Sequence, residues 1–196
     1  ENRETWSTFK MITELPRECL GAYVISMTSN VSDILSVLLL QKEAGVKSFL
    51  CVNHEITTIT LEQRCQGFAD ALGVKNNMLD VGVDPSEIER KVKPRLRKVD
   101  AVLTLGPISA IPTMRAVKKA RLLRHIYFAT FDVSKEILAG INKEVIDFAI
   151  DQQQYLQGYM PIVVLSQMLK YGVIQSGDIH SGPSFITKKN VKMYER

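Results

Sequence analysis

From Lys47 onward the chain repeats one pattern: a short apolar run, a polar break, then apolar residues returning every three or four positions. A short apolar run between turn formers reads as a buried strand, and the three-to-four spacing reads as one face of a helix. Ser48–Val52 (SFLCV) is thus a predicted strand. Thr60–Leu72 follows as a helix, with Leu61, Cys65, Phe68 and Leu72 on one face, a Thr60/Gln63 capping box and Gly73 as its stop. Met78–Val83 leaves room for a short strand. Asp84-Pro85-Ser86-Glu87 then opens a helix whose stripe is Ile88, Val92 and Leu96, shortened or kinked by Pro94. Beyond it the pattern predicts a strand over Val99–Leu105, a helix over Ser109–Leu123 and a strand over Ile126–Phe131. A short helix over Ser134–Ile141, a strand over Val145–Ile150, a long helix over Gln154–Tyr171 ended by Gly172, and an extended piece at 184–187 complete it.

Strands alternating with helices in this way specify an α/β fold with a mostly parallel open sheet flanked by helices and right-handed crossovers. Ahead of Lys47 the pattern is less regular. Tyr23–Met27 (YVISM) reads as one strand ending in Thr28-Ser29-Asn30, and residues 34–45 as a short hydrophobic helix.

Composition narrows the class. With 196 residues, 45% hydrophobic and 23% charged, the chain is neither low-complexity nor disulfide-scaffold in type. Its longest apolar run, Ile34–Leu40, falls short of the roughly 18 residues that argue a membrane span. The opening residues, Glu1, Arg3 and Glu4 before Trp6, do not read as a signal peptide. Cys19, Cys51 and Cys65 have no metal-like spacing, and the expectation is buried free thiols rather than a redox or metal role. No cofactor or metal is expected.

Charge is unevenly spread. Residues 90–124 hold eleven Lys or Arg against one acid, Asp100, which makes this stretch +10 within a chain of net charge +4. It contains no aromatic residue to stack on a base and no recognisable binding motif, so a solvated outer face shared by two helices is expected and a nucleic-acid partner is not.

In an open parallel sheet, ligands bind beyond the carboxyl ends of the strands. The residues that follow the predicted strands are Asn53-His54-Glu55, Gly106-Pro107, Asp132 with Phe131 beside it, and Asp151-Gln152-Gln153-Gln154. Arg64, early in its helix and flanking the apolar stripe, can turn toward that rim. There it would meet either Asp132, as a structural ion pair, or a ligand oxygen through two parallel hydrogen bonds. GxSxG, P-loop and GxGxxG signatures are all absent, and adjacent His54 and Glu55 point apart on an extended segment. The side chains suit the gripping of uncharged hydroxyls rather than catalysis, with Phe131 to cover an apolar ring face.

Arg64-Cys65-Gln66-Gly67-Phe68, Thr130-Phe131-Asp132, and Phe148 to Gln153 leading into Tyr155-Leu156-Gln157-Gly158-Tyr159 resemble, in order and spacing, the type 1 periplasmic sugar-binding proteins of ABC importers, in their ribose-binding branch. The resemblance runs from Glu43 to Asn190 and implies a fold of two α/β lobes with the sugar held between them. By it, Arg64 is the sugar-gripping arginine, Asp132 the acceptor of hydroxyl hydrogens, and Gln152 a hinge residue reaching the ligand. Asn53 and His54 fall on the cleft loop of the second lobe, and Ser29 on the rim of the first. It implies a small sugar or polyol ligand, an ABC permease as partner, and a periplasmic or extracellular setting. Residues 1–46 would be a remnant of lobe one with a linker, 47–150 lobe two, 151–177 the hinge and return helix of lobe one, and 178–196 the return to lobe two with the tail. Lobe one would be incomplete, leaving the return helix short of cover and open to self-association. Two other roles for such a chain are an isolated lobe serving as an association module and the ligand-sensing core of a lactose-repressor-like regulator, for which no helix-turn-helix is visible.

Overall fold

The structure, a computed structural model, describes residues 45–173, 179, 181 and 184–194. The strand expected at Tyr23–Met27 and most of the helix expected over 34–45 lie outside them, as do Cys19 and Ser29. The chain divides into two compact units: the first holds, of the described residues, those from Gly45 to Asp151 and from Ser184 to Tyr194, and the second those from Gln152 to Ser181.

In the first unit the strands are β1 (Phe49–Asn53), β2 (Met78–Asp80), β3 (Ala101–Thr104), β4 (Tyr127–Phe131), β5 (Phe148–Asp151) and β6 (Ser184–Thr187). They form one sheet in the order β2-β1-β3-β4-β5-β6, parallel throughout except for antiparallel β6. Helices α1 (Ile59–Leu72), α2 (Pro85–Val92), α3 (Pro107–Ala120) and α4 (Lys135–Asn142) make the connections. Both faces of the sheet are covered, which is why its strands read as unbroken apolar runs. Phe49, Cys51, Leu103, Phe131 and Ile150 join Leu61, Cys65, Phe68 and Leu72 of α1 in one core. Leu50, Val52, Val102, Phe128 and Ala149 join Ile88, Ala116, Val117, Ile137 and Ile141 of the other three helices in a second. Odd and even positions of each strand thus feed opposite cores, as the period of two requires.

Local chemistry sets the boundaries. Asp84 caps α2, its carboxylate accepting from the backbone N–H of Ser86 and Glu87, and the helix ends at Val92, ahead of Pro94. The helix expected from Ser109 starts at Pro107 instead, because Pro at the first position loses only an N–H that has no helical partner. It stops at Ala120, where Arg121 turns left-handed and the N–H groups of Arg121 and Leu122 close on the Lys118 and Val117 carbonyls. The Thr60/Gln63 capping box does not form: α1 begins at Ile59 with Thr58 as its N-cap. The strand expected from Val145 begins only at Phe148. The N–H groups of Val145 and Ile146 both donate to the Gly140 carbonyl, so these residues finish the turn after α4 rather than entering the ladder.

The expectation of free thiols is overturned for two cysteines. Cys51 of β1 and Cys65 of α1 form a disulfide. Both lie in the core beneath α1, where a strand position and a helix position face each other with Cα atoms 5.7 Å apart, within the span a disulfide bridges.

The second unit holds α5 (Gln154–Tyr171), which starts from left-handed Gln153 and ends at left-handed Gly172. Pro161 and Val164 are buried, while Tyr155, Tyr159, Ile162, Leu169 and Tyr171 are exposed and the two tyrosine rings Tyr155 and Tyr159 stack.

Candidate functional site

Strand order 2-1-3-4-5 reverses direction between β1 and β3, since the chain leaves β1 toward β2 and returns past it to β3. Helices α1 and α3, which follow those two strands, therefore go to opposite faces and leave a crevice at the carboxyl ends. His54 stands on one side of this crevice. Gly106 and Ser109 stand on the other.

Gly106 is the N-cap of α3, and a Cβ placed on it would lie 3.5 Å from His54 Cε1 and 3.9 Å from Asp132 Oδ2. Its bare backbone thus faces the imidazole and the carboxylate together. Three expected strand ends, after β1, β3 and β4, converge here. Below them Thr104 Oγ1 donates to Thr130 Oγ1 at 2.7 Å, so these buried hydroxyls satisfy each other and brace β3 against β4.

Asp132 holds a left-handed backbone at φ 60°, with its N–H donating to the Ile150 carbonyl at 2.8 Å. Aspartate is among the few non-glycine residues that take up this region readily. Half-buried, the carboxylate sits at the rim rather than in a core.

Arg64 is 4% exposed, an unusual depth for a cation, and its guanidinium carbon lies 4.5 Å from the Phe131 ring centroid. Stacking on an aromatic face at this distance is a cation–π contact, which holds the planar fork in one orientation. The role expected of Phe131 is corrected accordingly. At 1% exposure its ring does not offer an open face to a ligand; it is the platform beneath Arg64.

Asn53 is likewise corrected. It is fully buried, with Oδ1 accepting from the Glu55 N–H at 2.9 Å and Nδ2 directed at Met78 Sδ, so its carboxamide shapes the turn instead of facing the rim. His54 is the member of that loop that reaches the crevice. Its Nδ1 lies 3.4 Å from Ser109 Oγ, which also contacts the Leu105 N–H and the Gly106 carbonyl. That contact engages one ring nitrogen and leaves Nε2 for a ligand. Sequence reasoning overlooked Ser109; its only signal was a hydroxyl in the first turn of a helix opened by Gly-Pro. Gln152 belongs to the other unit, where its carbonyl accepts from Gln157 Nε2 at 2.7 Å and from Ser181 Oγ.

Burial holds the His54 pKa below its ordinary value, with Glu55 opposing the shift and Arg64 adding to it. A histidine kept neutral by the fold binds fewer protons folded than unfolded, so stability rises with pH across its titration. His54 therefore contributes fully above the ordinary value of 6.5, and that contribution declines as pH falls below it toward the folded pKa. The expected outcome is that the wild-type chain loses more stability than His54→Gln between pH 7.5 and 5.5, as read by urea unfolding. Parallel losses in the two would show that His54 is not the titrating group.

Comparison with known proteins gives two kinds of likeness. A family profile described as periplasmic binding protein domain matches residues 34–172. Among solved structures, a carbohydrate transporter from Acidothermus cellulolyticus in complex with myo-inositol shares 28% identity at a TM-score of 0.76, over 93% of this chain and 64% of that one. GanP, a glucose-galactose binding protein from Geobacillus stearothermophilus, has the same fold at 18% identity and a TM-score of 0.72, over 86% of this chain and 63% of that one. The chain thus spans slightly less than two thirds of the length of these structures. A separate match, to phosphoenolpyruvate carboxylase 3 of Arabidopsis thaliana, is 52% identical over 52 residues, 26% of this chain and 5% of that enzyme. The match to C4 phosphoenolpyruvate carboxylase of Flaveria trinervia is longer, 49% identical over 110 residues, 56% of this chain and 11% of that enzyme.

Proposed function

The chain belongs to the periplasmic binding protein domain family, and from that premise we propose that its crevice binds a small sugar or polyol without transforming it, in the service of ABC-type import. The observation that carries this reading is the gathering of His54, Gly106 and Asp132 at the switch between β1 and β3, with Arg64 held on Phe131 at the same end of the sheet. A guanidinium donates two parallel hydrogen bonds to adjacent hydroxyl oxygens, a carboxylate accepts hydroxyl hydrogens, and the free imidazole nitrogen takes one more. No step of bond making is needed. The myo-inositol of the Acidothermus cellulolyticus structure supports a cyclic polyol as the class of ligand.

A periplasmic or extracellular setting, which the family implies, agrees with the Cys51–Cys65 disulfide, since such bonds persist in oxidising compartments. Delivery to an ABC permease is part of the same proposal. Calorimetric titration of the folded protein against inositols, pentoses and hexoses tests it. Saturable heat with at least one of them is the expected result, and silence across the panel from a sample with a cooperative melt overturns it.

A further inference from the structure

The parallel crossovers give the sheet a second end, opposite the crevice. Helices α2 and α3 run back from the carboxyl ends of β2 and β3, so their own C-termini reach the amino-terminal edge. The two helices lie against each other, and Lys119 pairs with Glu89 across their contact. Arg97, in the turn that follows α2, donates to the Ala120 carbonyl at the end of α3. The basic residues of both helices and their following turns therefore form one continuous surface.

Five of the eleven cations are unengaged. Arg90, Lys119 and Arg124 have ion-pair partners, and Lys91, Arg95 and Arg97 donate to backbone carbonyls. Lys93, Lys98, Arg115, Lys118 and Arg121 are exposed with no carboxylate at ion-pair distance among the described residues. Asp100, the acid of this stretch, accepts from the N–H groups of Lys47 and Ser48 and from the Ser48 hydroxyl, and so is committed to the fold. Helix C-termini explain one or two cations as partners of the last carbonyls. They do not explain five more. Leu123, 39% exposed, lines a recess of about 480 Å³ together with Val117, Ile126 and Val145, the ion-paired Arg124 and Glu144, and Asp147. An exposed apolar side chain two residues along from the unpaired Arg121 suits an interface that is anionic at its surface and apolar just beneath.

We propose that this amino-terminal edge of the sheet docks on an anionic phospholipid surface, with the five free cations among the headgroups and Leu123 as a shallow apolar contact. The absence of any aromatic residue from 90 to 124 speaks against single-stranded nucleic acid, which is gripped by stacking. Docking by this edge leaves the crevice at the other end of the sheet clear, so the inference stands whether or not the crevice binds a sugar.

Co-sedimentation of the full chain with vesicles tests it. On mixed phosphatidylglycerol–phosphatidylcholine vesicles at low salt, at least about tenfold stronger retention is expected than on phosphatidylcholine alone. The difference should vanish near 1 M salt, where the screening length is about 3 Å. Charge reversal at Lys98→Glu, Arg115→Glu and Lys118→Glu should abolish retention. As a control of equal charge change, the single reversal Lys118→Glu should weaken retention, whereas Lys135→Glu, at the start of α4 and so at the carboxyl ends of the strands, should leave it. Melting curves establish that the variants are folded. Equal retention on the two vesicle types overturns the proposal, as does equal loss in the two single variants. Preferential binding of duplex DNA or of an acidic peptide over the anionic vesicles would also overturn it.

Discussion

Asp132→Asn is expected to weaken polyol binding by at least about tenfold while leaving the melting temperature nearly unchanged. A hydrogen bond to a charged group contributes about 1.5–3 kcal/mol, and each 1.4 kcal/mol is tenfold in affinity. Asparagine keeps the shape of the side chain and, like aspartate, tolerates the left-handed backbone at φ 60°, so the β4 end should hold its course. What disappears is the charge that accepts hydroxyl hydrogens. Arg64→Ala behaves differently. The side chain is 4% exposed and stacked on Phe131, so its removal takes away a ligand contact and leaves a void beside a core ring. Affinity should fall as far as in Asp132→Asn, and stability should fall too, by about 1–3 kcal/mol. Calorimetry with whichever polyol binds, set beside thermal melts, separates the two. If Asp132→Asn lowers the melting temperature as much as Arg64→Ala and leaves the affinity intact, the carboxylate serves the fold and not the ligand.

Breaking the Cys51–Cys65 bond is the largest stability change expected. The cysteines are 14 residues apart in sequence, and closing a loop of about 15 residues stabilises a fold by about 3 kcal/mol. In a chain of this size each 1 kcal/mol moves the midpoint by roughly 2–4 °C, so Cys51→Ala/Cys65→Ala should melt some 6–12 °C below the parent. Both sulfurs are buried in the core between β1 and α1, and alanine leaves only small gaps. Thiol titration of the unfolded parent, before and after reduction, confirms that the bond is present in the sample. An unchanged melt in the double variant would mean that the core under α1 holds without it.

The sheet and its helices were largely legible in the sequence, because a parallel strand covered on both faces must be apolar at every position. Asp84-Pro85 and Gly73 marked helix ends through local chemistry alone. Where the reading failed, backbone or side-chain geometry that residue type alone does not carry had decided the matter. Val145 and Ile146 are as apolar as any strand residue, yet their N–H groups close a helix. The cysteines were taken separately, although one stood in a predicted strand and the other in the apolar stripe of the very next helix; only the register of that helix against the strand brings them together. At the rim, Asp132 and His54 are named from their place after strands, and Arg64 from its place early in a helix beside the apolar stripe. That Asn53 turns inward, and that Phe131 lies under the guanidinium instead of beside a ligand, depends on side-chain directions that spacing does not carry.

Strand β6 has a consequence for how the molecule comes into being. It pairs with β5 across Phe148–Asp151, yet it is separated from that strand by the whole of α5. As the polypeptide emerges from its N-terminal side, β5 must wait with one edge bare until Ser184–Thr187 has followed. The partly made sheet stays open to pulling and threading, and to mispairing with a neighbour, for as long as that takes.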